Sequence, residues 1–234
     1  MALSVPSPDA AADPDRRSTA IAPALAAIAY PLLLQAFHAV VTAPAGGGAH
    51  LLAAALLAAA FAMPACGLGL VLRTASAPPA TVFAHRVRLL GLLAFAAPPL
   101  LVFIAFPLGQ LGHPVPEFAA WAAGWAGAAA WVWRAPALPL RPSRAPGGAP
   151  RALHGAIAAL VLAYIAFHLA NHLLGLAGPE VHRAVMAWGR RVYRAPAVEA
   201  ALVGLLLAQV GLGAWLASRW SRRALDSWRA AQLV

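Results

Sequence analysis

Six stretches of this chain are each close in length to the width of a membrane's hydrocarbon layer, and they carry almost no charge inside. A helix crossing that layer needs about 20 consecutive apolar residues. The stretches are Ile21–Val41, His50–Leu72, Arg88–Leu108, Glu117–Trp133, Leu153–Leu176 and Pro196–Ala217. They leave few other folds open. The chain is 62% hydrophobic and only 10% charged, against about 45–50% and about 25% in soluble domains. A water-soluble fold of this size could not bury that much apolar surface, and a bilayer supplies the missing apolar solvent. The expectation is an all-α polytopic transmembrane helical bundle of about six spans over residues 20–220. A disordered cytoplasmic tail at 1–19 and a cytoplasmic tail at 221–234 flank it. The fourth span is the shortest and holds Trp121, Trp125, Trp131 and Trp133; the last two suit an interfacial position.

Arginine placement orients the spans. With both termini inside, every arginine except Arg183, Arg190, Arg191 and Arg194 falls on the cytoplasmic side. That bias predicts an N-in, C-in protein of a bacterial inner membrane. The four exceptions share one outer loop. Its residues 179–192 alternate Val181, Val185, Trp188 and Val192 with Arg183, Arg190 and Arg191, the spacing of an amphipathic helix lying on the outer surface. The net charge of +10 resides in short loops between spans, so it does not imply a nucleic-acid partner; the bilayer is the partner it fits. The single cysteine, Cys66, excludes an internal disulfide and a cysteine-ligated cluster, and reads as a small core residue.

The chemistry available is narrow. The acids Asp9, Asp13, Asp15, Glu117, Glu180, Glu199 and Asp226 lie outside the spans or at their edges. No carboxylate pair can line a deep ion path, and no nucleophile triad, HExxH or phosphate-cradling loop is present. A transporter would need a polar water path, which a chain with one Asn and no Lys does little to provide.

Histidine is the informative residue, because an imidazole inside a membrane is costly unless paired or ligated. His38 lies about 17 residues into the first span and His168 about 15 into the fifth. At about 1.5 Å per residue they reach similar depths in the outer leaflet. Two neutral imidazoles at one depth are what a six-coordinate haem iron requires; the alternative for each is a hydrogen bond to a neighbouring helix. An internal repeat accompanies them: Ala36-Phe37-His38 matches Ala166-Phe167-His168. Gly67–Gly69 matches Gly211–Gly213, each followed by an arginine; chance matching in Ala- and Gly-rich helices is the rival account. His172, one turn beyond His168, and Asn171 suit a haem propionate or a quinone carbonyl, or else a headgroup-wetted boundary. His50 stands at a helix end, His154 at the inner boundary. His85 and His113 read as solvated loop residues, and His182 as a surface residue of the amphipathic helix.

Arg151-Ala-Leu-His154-Gly155, Phe167-His168-Leu169-Ala170-Asn171-His172, the outer loop, Pro196-Ala-Val-Glu199 and Gln209-Val-Gly-Leu-Gly213 together resemble the cytochrome b membrane-anchor subunit of succinate dehydrogenase/fumarate reductase. The resemblance covers residues 151–219. It implies a helical anchor for a flavoprotein and an iron–sulfur subunit that passes electrons through haem b to quinone. His168 would match the first-helix ligand of the outer haem. The sequence departs from the family where its second helix carries histidine: Gln209 stands there, and Ala65 at the repeat-related position. The family's di-haem members have five spans, not six. The expectation is at most one haem, bridged by His38 and His168, with Gln209 in its vicinity. The chain would be an electron-transfer subunit and no complete enzyme. The alternative is a haem-free membrane scaffold whose histidines serve helix contacts.

Overall fold

The computed structural model describes residues 14–43, 48–102, 117–141, 143 and 146–232. The expected tail up to residue 13, His113 and the last third of the expected third span lie outside them. Among the described residues the chain is helical, with one isolated bridge between Thr81 and Pro139. We number the helices α1 (Pro14–Thr42), α2 (Ala49–Ala75), α3 (Val82–Phe95), α4 (Glu117–Trp133), α5 (Gly148–Leu173), α6 (Pro179–Tyr193), α7 (Pro196–Trp220) and α8 (Ser227–Gln232). A short 3-10 turn, Leu174–Ala177, follows α5.

Four of these, α1, α2, α5 and α7, are long and apolar enough to cross a membrane. Little protein covers them: only 6% of the most apolar stretch of α7 is buried, and Leu162, Leu169, Val203 and Leu207 lie exposed. Such faces are stable only against an apolar solvent. The expected third and fourth spans behave differently. α3 has 14 residues and α4 has 17, short of a full crossing at about 1.5 Å per residue, although residues 97–102 beyond α3 are again helical. Among the described residues four helices are thus long and apolar enough to span, and the third expected span runs on into residues outside them.

The chain divides into two compact units, residues 1–143 with 221–234, and residues 144–220. In the first, α1 packs against α2 and α4, and α3 lies against α1, α2 and α4. Its core joins Ala20, Ala24 and Ala27 of α1, Phe83, Val87 and Leu90 of α3, and Trp121, Trp125 and Val132 of α4. The alanines let α1 approach closely enough for Trp121 Nε1 to donate to Ala27 O at 2.8 Å. α2 and α3 cross at Gly67 and Gly91. A Cβ on Gly91 would stand 2.9 Å from Gly67 O, and one on Gly67 would strike Gly91 O, so both positions must lack a side chain.

Arginines close the helix ends of this unit. Arg88 is 2% exposed and donates to Thr74 O and Ala77 O (2.7 Å) at the end of α2, and to Ser221 O and Arg223 O at 2.8 and 2.9 Å. Arg86 donates to Trp131 O at 2.7 Å with its guanidinium over that indole, and Arg17 donates to Trp133 O. These are the orphan carbonyls and negative ends of α2 and α4. The segment expected as a C-terminal tail is packed here as well. Ser221 and Ala230 are fully buried, Leu225 N–H donates to Ala75 O at 2.8 Å, and α8 lies against α2. The first helix likewise begins at Pro14, taking in residues 14–19 that composition assigned to the tail.

In the second unit α5 and α7 pack together, with α6 joined to the end of α5. Gly178, at φ +116°, reverses the chain before α6, a backbone conformation open to glycine and costly elsewhere. Pro179 then occupies the first turn, where its missing N–H costs nothing. Glu180 in that turn and Arg190 and Arg191 in the last suit the helix dipole.

Candidate functional site

The second unit gathers polar side chains at two levels of an otherwise apolar helix pair. At one, His154 of α5 faces Gln209 of α7, Nε2 to Nε2 at 3.4 Å. Gly213, one turn on, makes the room: a Cβ there would stand 3.2 Å from His154 Cε1. The amide donates to the ring nitrogen, so the ring proton sits on Nδ1. That Nδ1 and Gln209 Oε1 are both buried and without a hydrogen-bond partner among the described residues. Gln209 thus serves an imidazole across the helix pair, in the place where the resemblance implies a histidine.

The other level lies at the far end of α5, where α6 returns. His168 and His172, one turn apart on α5, turn their tips together, with Nε2 atoms 3.2 Å apart and ring centroids 4.6 Å apart. One ring donates and the other accepts, so the two are different tautomers. His182 of α6 stands 5.6 Å from His172, centroid to centroid, and its Nδ1 is buried without a partner among the described residues. Tyr164 stacks on His168 at 6.1 Å and meets Tyr193 of α6 edge-on, while Trp188 meets Phe167. Asn171 is 4% exposed. Its Nδ2 has no partner among the described residues, and a Cβ on Gly189 would stand 3.3 Å from it. Glycine at 189 is what lets α6 close over the amide. The role of His182 as a plain surface residue is therefore corrected: α6 turns it inward.

The remaining expected residues are spread out. His38 is exposed on α1 in the first unit, and its ring has no protein partner among the described residues; only its carbonyl is engaged, by Thr42 Oγ1 at 2.8 Å. His50 is exposed in the first turn of α2. His85 is no loop residue: it lies on α3, 5% exposed, with Nε2 3.0 Å from Ser221 Oγ. Cys66 is exposed on α2, not in the core, and bonds to Ala62 O. Composition could not find the His85–Arg88–Ser221 cluster, because Ser221 is 133 residues from Arg88 and reads as a tail residue. An open cleft of about 530 Å³ lies among Pro31, Leu34, Gln35, Leu101, Val102, Glu117 and Phe118, with Gln35 and Glu117 its polar side chains among the described residues.

Haem can be tested against these residues. An axial ligand must present a free ring nitrogen. His38 does so, whereas the Nε2 of His168 is engaged by that of His172. The Asn171 amide is unpartnered among the described residues but covered by α6. A haem at His168 would require giving up the bond to His172 Nε2. Among the described residues no group of three or more His, Cys, Asp or Glu side chains is arranged to hold a metal ion. No family model matches the sequence, and no curated protein or solved structure matches it either.

Proposed function

We propose that this chain is a membrane-anchor, cytochrome b-like subunit working in quinone-linked electron transfer, with at most one haem b near the outer leaflet. One observation carries the reading. The residues that resemble the succinate dehydrogenase/fumarate reductase anchor, 151–219, coincide with a single compact unit, 144–220, in which histidine and amide side chains on α5, α6 and α7 meet in two places. Lipid-facing helices expel such groups unless they are used.

Haem, when bound, supplies reversible one-electron chemistry. The chain's part is to hold it: His168 as an axial imidazole, Asn171 and His172 toward a propionate or a quinone carbonyl. His154 and Gln209 remain paired at the other level and His50 stands at a helix end. A flavoprotein and an iron–sulfur subunit would deliver the electrons, with quinone as substrate. The orientation is N-in, C-in across a bacterial inner membrane. It is supported by Arg17, Arg86 and Arg88, which all meet helix ends of one unit, as one shared cytoplasmic side requires.

The test is a reduced-minus-oxidised spectrum and a pyridine haemochrome assay on full-length protein expressed with haem supplied. A b-type α-band is expected, lost in His168→Ala. Its absence from the native chain would sink the cytochrome reading. Cysteine-labelling of either terminus from the cytoplasmic side tests orientation. A haem-free scaffold is the second reading, favoured by the mutual satisfaction of His168 and His172. Under it the spectrum is blank while partner proteins still co-purify.

A further inference from the structure

The tips of His168 and His172 are spaced like two donors on one metal ion. Zn–N bonds of about 2.0–2.1 Å at the tetrahedral angle hold their nitrogens about 3.3–3.4 Å apart; a right-angled pair at similar bond lengths holds them about 2.9 Å apart. The observed Nε2···Nε2 separation of 3.2 Å lies between these. The spacing of one helical turn aims both rings to the same side. Neither ring is sealed: His172 is exposed and His168 half-buried.

We propose that His168 and His172 chelate one divalent transition-metal ion of borderline softness, such as Zn²⁺ or Cu²⁺, in the haem-free chain. Neutral imidazoles select such ions over Mg²⁺ or Ca²⁺, which require oxygen. To bind through both Nε2 atoms, the ring that donates in the imidazole–imidazole bond moves its proton to Nδ1 by exchange with water, so no net proton is released. Water fills the open positions. His182, 5.6 Å from His172 and with an unpartnered buried Nδ1, is the nearest third imidazole. The site draws on α5 and α6 alone and does not rest on the electron-transfer reading. Since one Nε2 of His168 cannot serve two metals, haem and chelate exclude each other.

The experiment uses the full chain in detergent, purified without added haem through a histidine-free tag and titrated with Cu²⁺ under electron paramagnetic resonance and with Zn²⁺ in a calorimeter. One tight ion per chain is expected, with copper hyperfine structure from two nitrogens. His168→Ala and His172→Ala each weaken it about 100-fold, with unchanged melting, and His182→Ala weakens it less. His38→Ala keeps the metal, since the site lies wholly on α5 and α6, and metal binding in a chain that shows no haem band separates this inference from the cytochrome reading. Binding equal in the native chain and the His168→Ala/His172→Ala double variant overturns the proposal. So does loss of binding in His38→Ala, or equal affinity for Mg²⁺.

Discussion

Arg88 shows how one residue's surroundings can reverse its meaning. By position it is one of several arginines that set orientation; in the fold its guanidinium lies 2% exposed among four carbonyls. A planar fork with five donors suits that task and an ammonium does not. Arg88→Leu should destabilise the protein by about 2–4 kcal/mol, because buried carbonyls lose a charged donor. Arg88→Lys should recover only part of it; equal melting temperatures for Arg88→Leu and native protein in one detergent would refute the assignment. Arg86 and Arg17 spend donors on the last turn of α4 in the same way. The histidines diverge likewise: His85 and His182 read as surface residues and are turned inward, whereas His38 stays exposed. A single sequence shows a residue's type and its neighbours along the chain. It does not show Ser221 arriving beside His85.

At the level of elements, glycine separates two similar motifs. Gly67–Gly69 and Gly211–Gly213 look like copies, yet the first uses Gly67 against the Gly91 backbone and the second uses Gly213 against the His154 ring. Gly69 and Gly211 have nothing within 4 Å of a Cβ. Gly67→Ala should therefore cost about 1–3 kcal/mol through overpacking, while Gly69→Ala should be neutral or stabilise by up to about 1 kcal/mol. Thermal unfolding of the pair checks this, and equal losses would refute the crossing. Trp121→Phe removes the bond to Ala27 O and should cost about 1 kcal/mol. Helix existence was legible: α1, α2 and α7 each contain one of the expected spans, α4 coincides with another, and α5 with the 3-10 turn after it covers a fifth. Helix ends were less so: apolarity marks the hydrocarbon layer, and helices run past it into polar residues such as Asp15 and Arg17.

For the whole molecule, two units each hold two helices able to cross a bilayer. Cutting the chain at a protease site inserted between Ser143 and Arg144 should leave both fragments in the membrane pellet after alkaline extraction. Release of either would show that its helices do not span. The faces of α5 and α7, bare of protein cover, carry this expectation, because exposed leucines there have no other favourable solvent.

The sequence by itself determined the class of solvent, the helical class and, among its six expected spans, the four helices long and apolar enough to cross. These follow from apolar length and from the need to satisfy every backbone group within its own helix. It also marked the imidazoles worth following. Tertiary structure decided that α3 breaks at Ala96, that the C-terminal segment packs against α2, and that Gln209 pairs with His154. It alone paired His168 with His172 tip to tip. Those outcomes depend on contacts between residues distant in the chain or on rotamers set by packing, and hydropathy along a single strand of residues carries neither.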